Sequence, residues 1–479
     1  MTTLVGLDVG TTGVKAVAIT PSGEVVGRAE EEYPLLTPRA GWSEQDPEQW
    51  WRAAEAALAA LRGRDVAGIG LSGQMHGLVV LDEELDVLRP AILWNDGRTA
   101  RECDAIERRL GLGHLIELTG NRALAGFTAP KLLWLRAHEP ELYGRIAHIA
   151  LPKDYVRLRL TGELASDVAD ASGTLLFDVA RRRWSDEMLD ALEVPAAWLP
   201  RVLESPEVSG HSAHGVPVAA GAGDQAAGAV GVGVDRPGAL SVVLGTSGVV
   251  FAALPRFACD AEARVHCFCH AAPRTWHAMG VMLSAAGSLR WFRDVAAPGG
   301  DFGMLTAEAE RWPPGAAGVA FAPYLAGERT PHADPDARAS FTGLALQHDR
   351  GALARAVLEG VAYGLKDSLM LLGDLGIETR VGRVSGGGAR SELWLRVVAS
   401  VLDVPLERTA VEEGAAYGAA LLGGVAAGVF ADVAEAVAAC VKVRDVVEPE
   451  PSWREPYEAG YERFRALYPA LGRVGGGAG

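Results

Sequence analysis

Two apolar runs separated by a glycine-bounded polar turn open the chain, and the same arrangement returns in its middle. The first copy spans Leu4–Ile19 and turns at Gly10–Gly13, and the second spans Leu240–Leu254 and turns at Gly245–Gly248. Runs of apolar and β-branched residues favour strands, and glycine permits a tight reversal, so each copy predicts a β-hairpin. Two matching hairpins indicate two related halves.

Between the hairpins, short apolar runs alternate with amphipathic segments. Asp46-Pro47-Glu48-Gln49 is typical of a helix start, because Asp46 can cap the helix and Pro47 fits its first turn. The strands predicted on this basis are 23–33, 66–71, 91–94 and 217–220, and the helices are 48–61 and 99–110.

The alternation restarts after the connector Asp235-Arg236-Pro237-Gly238. A long helix is predicted over 350–373, a strand over 381–384 and a helix over 391–402. The fold class is therefore α/β, with two domains at 1–235 and 236–479. Each domain is predicted to hold a mixed sheet that begins with a hairpin, the two domains to enclose a cleft, and the tail to be loose after about residue 472.

Composition narrows the class of protein. The net charge of −16 disfavours nucleic acid as the main partner, because a phosphate backbone requires a basic surface.

The longest apolar run, 415–431, contains four glycines and falls short of the roughly 20 residues of a membrane span. It predicts a small-residue helix inside the protein. Met1-Thr2-Thr3 leads directly into the first strand, so no secretory signal is expected.

The five cysteines predict a reducing compartment, the cytosol, because an odd number does not fit a disulfide framework. The segment from His266 to His270 contains two histidines and two cysteines that could suggest zinc. In a strand, however, Cys267 and Cys269 face the side opposite the histidines, and four such ligands cannot meet one ion. A buried strand is the prediction here.

The paired turns offer hydroxyls and free N–H groups to phosphate, from Thr11 and Thr12 in the first and from Thr246 and Ser247 in the second. Two ordinary hairpin turns are the alternative. Asp8 precedes the first turn, where its charge would repel phosphate unless a cation lay between them. Mg²⁺ bound by Asp8 would serve, although Asp8 could instead bond its own backbone.

Asp224 is the candidate catalytic base. It follows an apolar strand and lies among small residues, 221–228, which leave room for a substrate hydroxyl whose proton it could accept. Two alternatives stand beside this. Gly221 to Ala226 formally matches the dinucleotide fingerprint G-x-G-x-x-A, though no acidic residue follows at the ribose position. Asp224 could also simply cap a helix.

Two further segments suit a polyhydroxylated substrate. In the loop 72–77, Met75 offers an apolar surface and His76 a hydrogen-bonding ring, although such a histidine could equally be a satisfied structural residue. Trp94, Asn95 and Asp96 add a ring face, an amide and a carboxylate, or else form a core tryptophan followed by a turn.

A glycine-rich loop, 386–388, joins a predicted strand to a helix that opens at Ser391. Gly387 and Gly388 would let adenine or ribose lie against the backbone, and the helix start offers free N–H groups. A plain strand-to-helix connection is the alternative.

Taken together, these segments resemble the FGGY carbohydrate kinases of the actin-like ATPase superfamily. The resemblance runs from Gly6 to Phe464 and includes the motifs 41–47, 70–77, 93–98, 127–134 and 151–155. The Gln-Met-His-Gly stretch is the most specific of these for the members that act on xylulose.

The resemblance implies two actin-like (ribonuclease H-like) domains and phosphoryl transfer from Mg-ATP to the 5-hydroxyl of D-xylulose. It implies that Asp224 takes the proton, that Met75 and His76 contact the ketose, and that residues of the second turn and the glycine loop contact ATP (Gly245, Thr246, Gly387 and Gly388). Gln225 departs from the asparagine of many relatives and leaves the exact sugar open. Another ketose or polyol kinase, such as one for ribulose or glycerol, and a non-catalytic sugar sensor remain alternatives. A homodimer is also expected.

Overall fold

A computed structural model of the chain describes residues 2–475, with side chains described through residue 472. In the first half, the strands are β1 (Thr2–Val9), β2 (Gly13–Ile19), β3 (Val25–Glu32), β4 (Glu44–Gln45), β5 (Asp65–Gly73), β6 (Val79–Leu81), β7 (Ala91–Ile92), β8 (His148–Ala150), β9 (Ala165–Asp167), β10 (Phe177–Asp178), β11 (Arg183–Trp184), β12 (Arg201–Leu203), β13 (Val208–His211), β14 (Pro217–Ala219) and β15 (Ala222–Gly223). The helices of that half are α1 (Pro47–Ala60), α2 (Ala100–Leu110), α3 (Leu112–Thr119), α4 (Thr128–His138), α5 (Pro140–Tyr143), α6 (Pro152–Thr161), α7 (Val168–Ala171), α8 (Asp186–Leu192) and α9 (Asp224–Gly231).

The second half has the strands β16 (Ala239–Leu244), β17 (Gly248–Leu254), β18 (His266–Cys269), β19 (Trp276–Met282), β20 (Ala320–Ala322), β21 (Ser340–Thr342), β22 (Val381–Ser385), β23 (Leu406–Thr409) and β24 (Val443–Val447). Its helices are α10 (Ala286–Ala296), α11 (Phe302–Glu310), α12 (Arg350–Asp374), α13 (Glu392–Leu402), α14 (Gly414–Ala426), α15 (Val433–Cys440) and α16 (Arg454–Gly475).

Each half is built on a mixed sheet whose first strands form a hairpin. The first sheet runs in the order β13-β14-β5-β1-β2-β3, with β15 also beside β5, and the second in the order β18-β19-β17-β16-β22-β23-β24. In both, the first strand is antiparallel to the second and parallel to the strand on its other side. The predicted hairpins and mixed sheets are confirmed, and this topology differs from the all-parallel dinucleotide-binding sheet.

The small-residue segment predicted to lie inside the protein forms α14, which packs on the first sheet although it comes late in the chain. A Cβ atom at Gly6 would lie 1.9 Å from the Ala416 carbonyl oxygen, and one at Gly70 would lie 1.7 Å from that of Ala419. Only glycine permits this approach of helix to sheet. The helix thereby ties the second half of the chain to the first.

The structure also corrects one predicted strand and describes only part of the tail that was predicted to be loose. The strand expected over 91–94 ends at Ile92, because Leu93 bonds the Ser43 carbonyl and accepts from Asp96 N in a turn. Helix α16 includes residues 473–475 of the tail expected to be loose, and residues 476–479 lie outside the described part. None of the helices within residues 2–475 combines the length and hydropathy that crossing a bilayer requires.

Candidate active site

Two carboxylates flank the end of β5. Asp8 on β1 pairs in parallel register with Ser72, and β15 pairs with Ser72 and Gly73 from the other side before Asp224 begins α9. The strands that carry Asp8 and lead to Asp224 are therefore two ladder spacings, roughly 10 Å, apart. Gly223 occupies the N-cap of α9, so helix capping does not account for Asp224.

The two carboxyl groups influence each other's ionisation. Burial, together with the negative charge of Asp8, raises the pKa of Asp224 to about 7. Burial also raises the pKa of Asp8 to about 6, against the opposing effects of the nearby Ser72 hydroxyl and the charge of Lys15. A carboxyl group that titrates near neutrality is suited to accept a proton at working pH.

Asp8 also offers an oxygen atom of the kind that binds a hard cation. Its Oδ1 atom is buried and has no hydrogen-bond partner among the described residues. Carboxylate oxygens are the ligands that Mg²⁺ prefers, so this unsatisfied oxygen fits the predicted magnesium role.

A second group of carboxylates within residues 2–475 has the spacing of metal ligands, formed by Asp154, Asp167 and Asp170. All three are fully buried, and the Lys153 ammonium lies 2.6, 2.5 and 2.9 Å from them. The protein's own cation therefore occupies the place that a metal ion would take, and this cluster is a buried ion-pair network.

His76 is held in a fixed orientation and tautomer. Its Nδ1 donates to the Gly173 carbonyl at 2.7 Å, which leaves Nε2 as an acceptor. Burial lowers the pKa of His76 to about 3, so the ring stays neutral. The backbone has a φ of 68°, and its carbonyl accepts from Lys131 Nζ at 2.8 Å and Thr128 Oγ1 at 3.0 Å. These bonds hold a conformation that histidine adopts at a cost.

Trp94 is joined to the first turn. Its Nε1 donates to Thr11 Oγ1 at 3.0 Å, and that hydroxyl donates to Gln74 Oε1 at 3.2 Å. Gln45 Nε2 donates to the Thr11 carbonyl at 2.7 Å. The indole is 36% exposed, so a ring face remains available to a ligand. The Thr11 hydroxyl is thus bonded to neighbours on the sugar side, whereas Thr12 is exposed.

A cavity of about 260 Å³ collects residues from both halves of the chain. The first half supplies Thr11, Gln74, Met75, His76, Trp94, Leu124, Gly126, Phe127, Asp224 and Gln225, and the second supplies Ser247, Val249, Met279, Val281, Leu283 and Arg329. A volume of this size suits a small molecule, and both the candidate base and the predicted sugar loop face it.

Not every residue predicted for the substrate lies in this cavity. Gln225 lines it, and its backbone N–H donates to Asp224 Oδ1 at 2.8 Å. Asp96 is buried outside it, where it accepts from the Ser43 N–H at 2.7 Å and from Arg98 Nη2 at 2.7 Å. Asn95 is exposed and does not line it. The structure therefore gives Asp96 a structural ion pair with Arg98 in place of the predicted sugar contact.

Of the residues predicted for ATP, Thr11 and Ser247 line this cavity, and the glycine loop packs against the strand end that precedes the second turn. Gly386 approaches so closely that a Cβ there would lie 2.7 Å from the Leu244 carbonyl carbon, and one at Gly388 would lie 2.8 Å from Leu244 Cβ. Thr246 and Gly387 are exposed, while Gly245 lies in the turn beside Leu244. Ser391 caps α13 by accepting from Trp394 N, as a helix start predicts.

The cysteine-histidine segment is the buried strand that its pattern predicted. His266 Nδ1 lies 2.9 Å from Asn121 Oδ1, and His270 Nε2 donates to the Val234 carbonyl at 2.8 Å. Both rings are thus bonded to protein atoms.

Sequence reasoning missed several lining residues, among them Phe127 and Arg329. Phe127 lies inside a motif that was recognised, but its ring packs on His76 with centroids 4.5 Å apart. Arg329 comes from a loop with no local pattern, and only the tertiary fold brings it to the cavity.

Comparison with known proteins matches the chain to a family. Models of the FGGY family of carbohydrate kinases match its N-terminal domain over residues 3–231 and its C-terminal domain over residues 240–427. A xylulose kinase from Escherichia coli (strain K12) is 44% identical over 481 residues, which cover 98% of this chain and 99% of the relative.

Solved structures agree along nearly the whole chain. A structure described as a xyloylose kinase from Brucella ovis has a TM-score of 0.93 and 43% identity, and covers 98% of this chain and 100% of its own. A xylulose kinase from Rhodospirillum rubrum has a TM-score of 0.92 and 31% identity, with 99% of each chain covered. The fold class predicted from the sequence is confirmed, and the chain belongs to the FGGY family of carbohydrate kinases.

Proposed function

We propose that this protein transfers the γ-phosphoryl group of Mg-ATP to the 5-hydroxyl of D-xylulose. The observation that carries the proposal is the placement of Asp224, Met75 and His76 around one cavity that is lined from both halves. The similarity to enzymes named xylulose kinase, at 44% identity over nearly the full length, supports this substrate over the others considered.

In the proposed reaction, Asp224 accepts the proton of the 5-hydroxyl as its oxygen bonds to the γ-phosphorus. The bond from that phosphorus to the bridging oxygen breaks, and ADP leaves with the electron pair. His76 Nε2 accepts a hydrogen bond from another hydroxyl, and Trp94 presents its ring face to the C–H groups of the sugar.

Asp8 is proposed to hold Mg²⁺, which when bound neutralises phosphate charge. The turn residues Thr11, Thr12, Gly245, Thr246 and Ser247 and the loop residues Gly387, Gly388 and Ser391 are proposed to position ATP. Closure of the two halves around the sugar would exclude water and limit hydrolysis of ATP.

The proposal is tested by following ADP release with D-xylulose, D-ribulose, glycerol or no sugar. We expect the highest kcat/KM with D-xylulose and a product phosphorylated at the 5-position. A preference for glycerol or D-ribulose would change the substrate, and sugar binding without ADP release would identify a sensor. A homodimer in the cytosol is the remaining part of the proposal, and light scattering of the purified protein tests the dimer.

A further inference from the structure

Arg329 is a cation on the cavity wall that no motif explains. Among the described residues that line the cavity, it supplies the only full positive charge. Within residues 2–475 its guanidinium makes no ion pair and donates no hydrogen bond to protein, although its backbone N–H donates to Glu328 Oε1. Burial lowers the pKa of this guanidinium. A partly buried guanidinium without a partner is costly unless a ligand completes its hydrogen bonds.

The backbone that carries Arg329 is rigidly attached to β19. Thr330 N donates to the Val281 carbonyl at 3.0 Å, and Val281 N donates to Thr330 Oγ1 at 3.0 Å. Glu328 Oε1 accepts from Leu283 N at 2.9 Å. Glu328 and Asp334 close the loop by exchanging two backbone hydrogen bonds of 2.8 Å each. The loop therefore presents the arginine in a preorganised position.

Arg329 lines the cavity together with Met75 and His76 of the predicted sugar loop. Its segment is bonded to Val281 and, through Glu328, to Leu283, whose carbonyl accepts from Ser247 Oγ in the second turn. Its charge lowers the pKa of His76 and of His266. The guanidinium thus shares the cavity with His76 and lies close enough for its charge to act on that ring.

We infer that Arg329 recognises the carbonyl end of a 2-ketose, donating two N–H groups to the C2 carbonyl oxygen and the C1 hydroxyl oxygen. This inference rests on the proposed function and deepens it. A guanidinium fork matches two neighbouring acceptor oxygens, and the C2 carbonyl is the group that separates a ketose from a polyol. Arg329 is therefore a specificity residue contributed by the second half, opposite the sugar loop of the first.

The experiment compares D-xylulose with xylitol and D-arabinitol, the two polyols formed by reducing its C2 carbonyl. In Arg329→Gln, we expect kcat/KM for D-xylulose to fall on the order of 100-fold, mainly through KM. For the polyols, kcat/KM should change less than about threefold. Where their turnover is too slow to measure, their inhibition constants should change by no more than that. Arg329→Lys keeps the charge without the fork and should lose roughly 10-fold.

Exposed Arg338, which donates only to backbone carbonyls of its own loop, provides the matched control, and Arg338→Gln should leave all constants unchanged. Equal losses on ketose and polyol, a loss confined to kcat or to the KM for Mg-ATP, or no loss at all in Arg329→Gln and Arg329→Lys would overturn the inference. If the wild type prefers D-ribulose, the proposed substrate fails, and the same comparison is made with ribitol and D-arabinitol. A wild type that phosphorylates only polyols would overturn the arginine assignment while leaving phosphoryl transfer intact.

Discussion

The two hairpins of this protein correspond residue by residue and yet are proposed to serve different chemistry. Asp8–Gly13 matches Val243–Gly248, and each turn lies between antiparallel strands of the same kind of sheet. The parallel strands beside the two hairpins also correspond, because Asp8 pairs with Ser72 on β5 and Val243 pairs with Ser385 on β22. The two halves therefore contain the same type of turn at corresponding positions.

The difference lies in the side chains before and after the turns. Where the first half has Asp8, the second has Val243, and where β5 leads into the sugar loop with His76, β22 leads into Gly386 and Gly387. A carboxylate beside phosphate requires a cation between them, whereas valine and glycine bring no charge and leave backbone N–H groups and the Thr246 and Ser247 hydroxyls as polar partners. Similar halves can therefore divide the work, with metal, base and sugar on one side and nucleotide on the other.

The largest effect should come from removing the base of the first half. In Asp224→Asn the proton acceptor is lost while the shape is kept, so kcat should fall by roughly 10³ to 10⁴. The Kd for Mg-ATP, measured by calorimetry, should stay within about twofold, since most of the residues proposed for the nucleotide lie in the other half. Asp104→Asn, an exposed change on α2, is the control. Turnover near the wild-type value would remove the base assignment.

A matched pair of substitutions tests the division between the turns. Asp8→Asn should lower kcat about 100-fold and raise the Mg²⁺ concentration that gives half the maximal rate, because a neutral amide binds the ion less well. Val243→Ala, at the corresponding position, should leave the Mg²⁺ dependence unchanged. Rates titrated with Mg²⁺ at saturating ATP provide the measurement. An equal response of both variants to Mg²⁺ would show that the halves are not divided as proposed.

Local patterns predicted most of this fold. The hairpins, the long helix found at Arg350–Asp374 and the buried strand at His266–Cys269 depend on neighbouring residues, so periodicity and turn chemistry revealed them. The packing of α14 on the first sheet depends on glycines some 350 residues away, such as Gly70, and no local pattern encodes it.

Contiguous motifs predicted several of the residues that line the cavity, whereas residues placed by tertiary contacts were misjudged or missed. Asp96 looked like a sugar ligand beside Trp94, but Ser43, far along the chain, occupies one of its oxygens and Arg98 binds both. Conversely, nothing around Arg329 in the sequence signals a site. The residue roles themselves stay predictions until the variants are measured.

A smaller effect should distinguish two glycines of the glycine-rich loop, Gly387 and Gly386, by their influence on the KM for Mg-ATP and on Tm. A Cβ at Gly387 would meet nothing within 4 Å, so Gly387→Ala should leave Tm unchanged and raise the KM for Mg-ATP about 10-fold if ATP lies against this residue. Gly386 has a φ of 89° and lies against the Leu244 backbone, so Gly386→Ala should lower Tm as well. Kinetics and thermal melts on both variants make the comparison. An unchanged KM in Gly387→Ala would place the nucleotide elsewhere.

The smallest expected effect is on the free energy of unfolding, to which Asp8 and Asp224 of the first half both contribute. The pKa values of about 6 and 7 exceed the usual 3.8, so the folded protein binds these protons more tightly than the unfolded chain does. The free energy of unfolding therefore falls as the pH rises from about 4 to about 7. Asparagine does not titrate, so without Mg²⁺ at pH 8 each Asn variant should be more stable than the wild type by about 1–2 kcal/mol.

Because each carboxylate repels the other, removing either one already relieves the repulsion. The Asp8→Asn/Asp224→Asn double variant should therefore gain less stability than the sum of the single variants, by about 1 kcal/mol. Urea unfolding of all four proteins at pH 8 measures this difference, and it should shrink as the pH is lowered toward 5. Strict additivity at pH 8 would mean that the two carboxylates do not repel each other measurably. A cation bound between them would then not be favoured by relief of that repulsion. The second half, with Val243 in the place of Asp8, has no such repulsion for a cation to relieve.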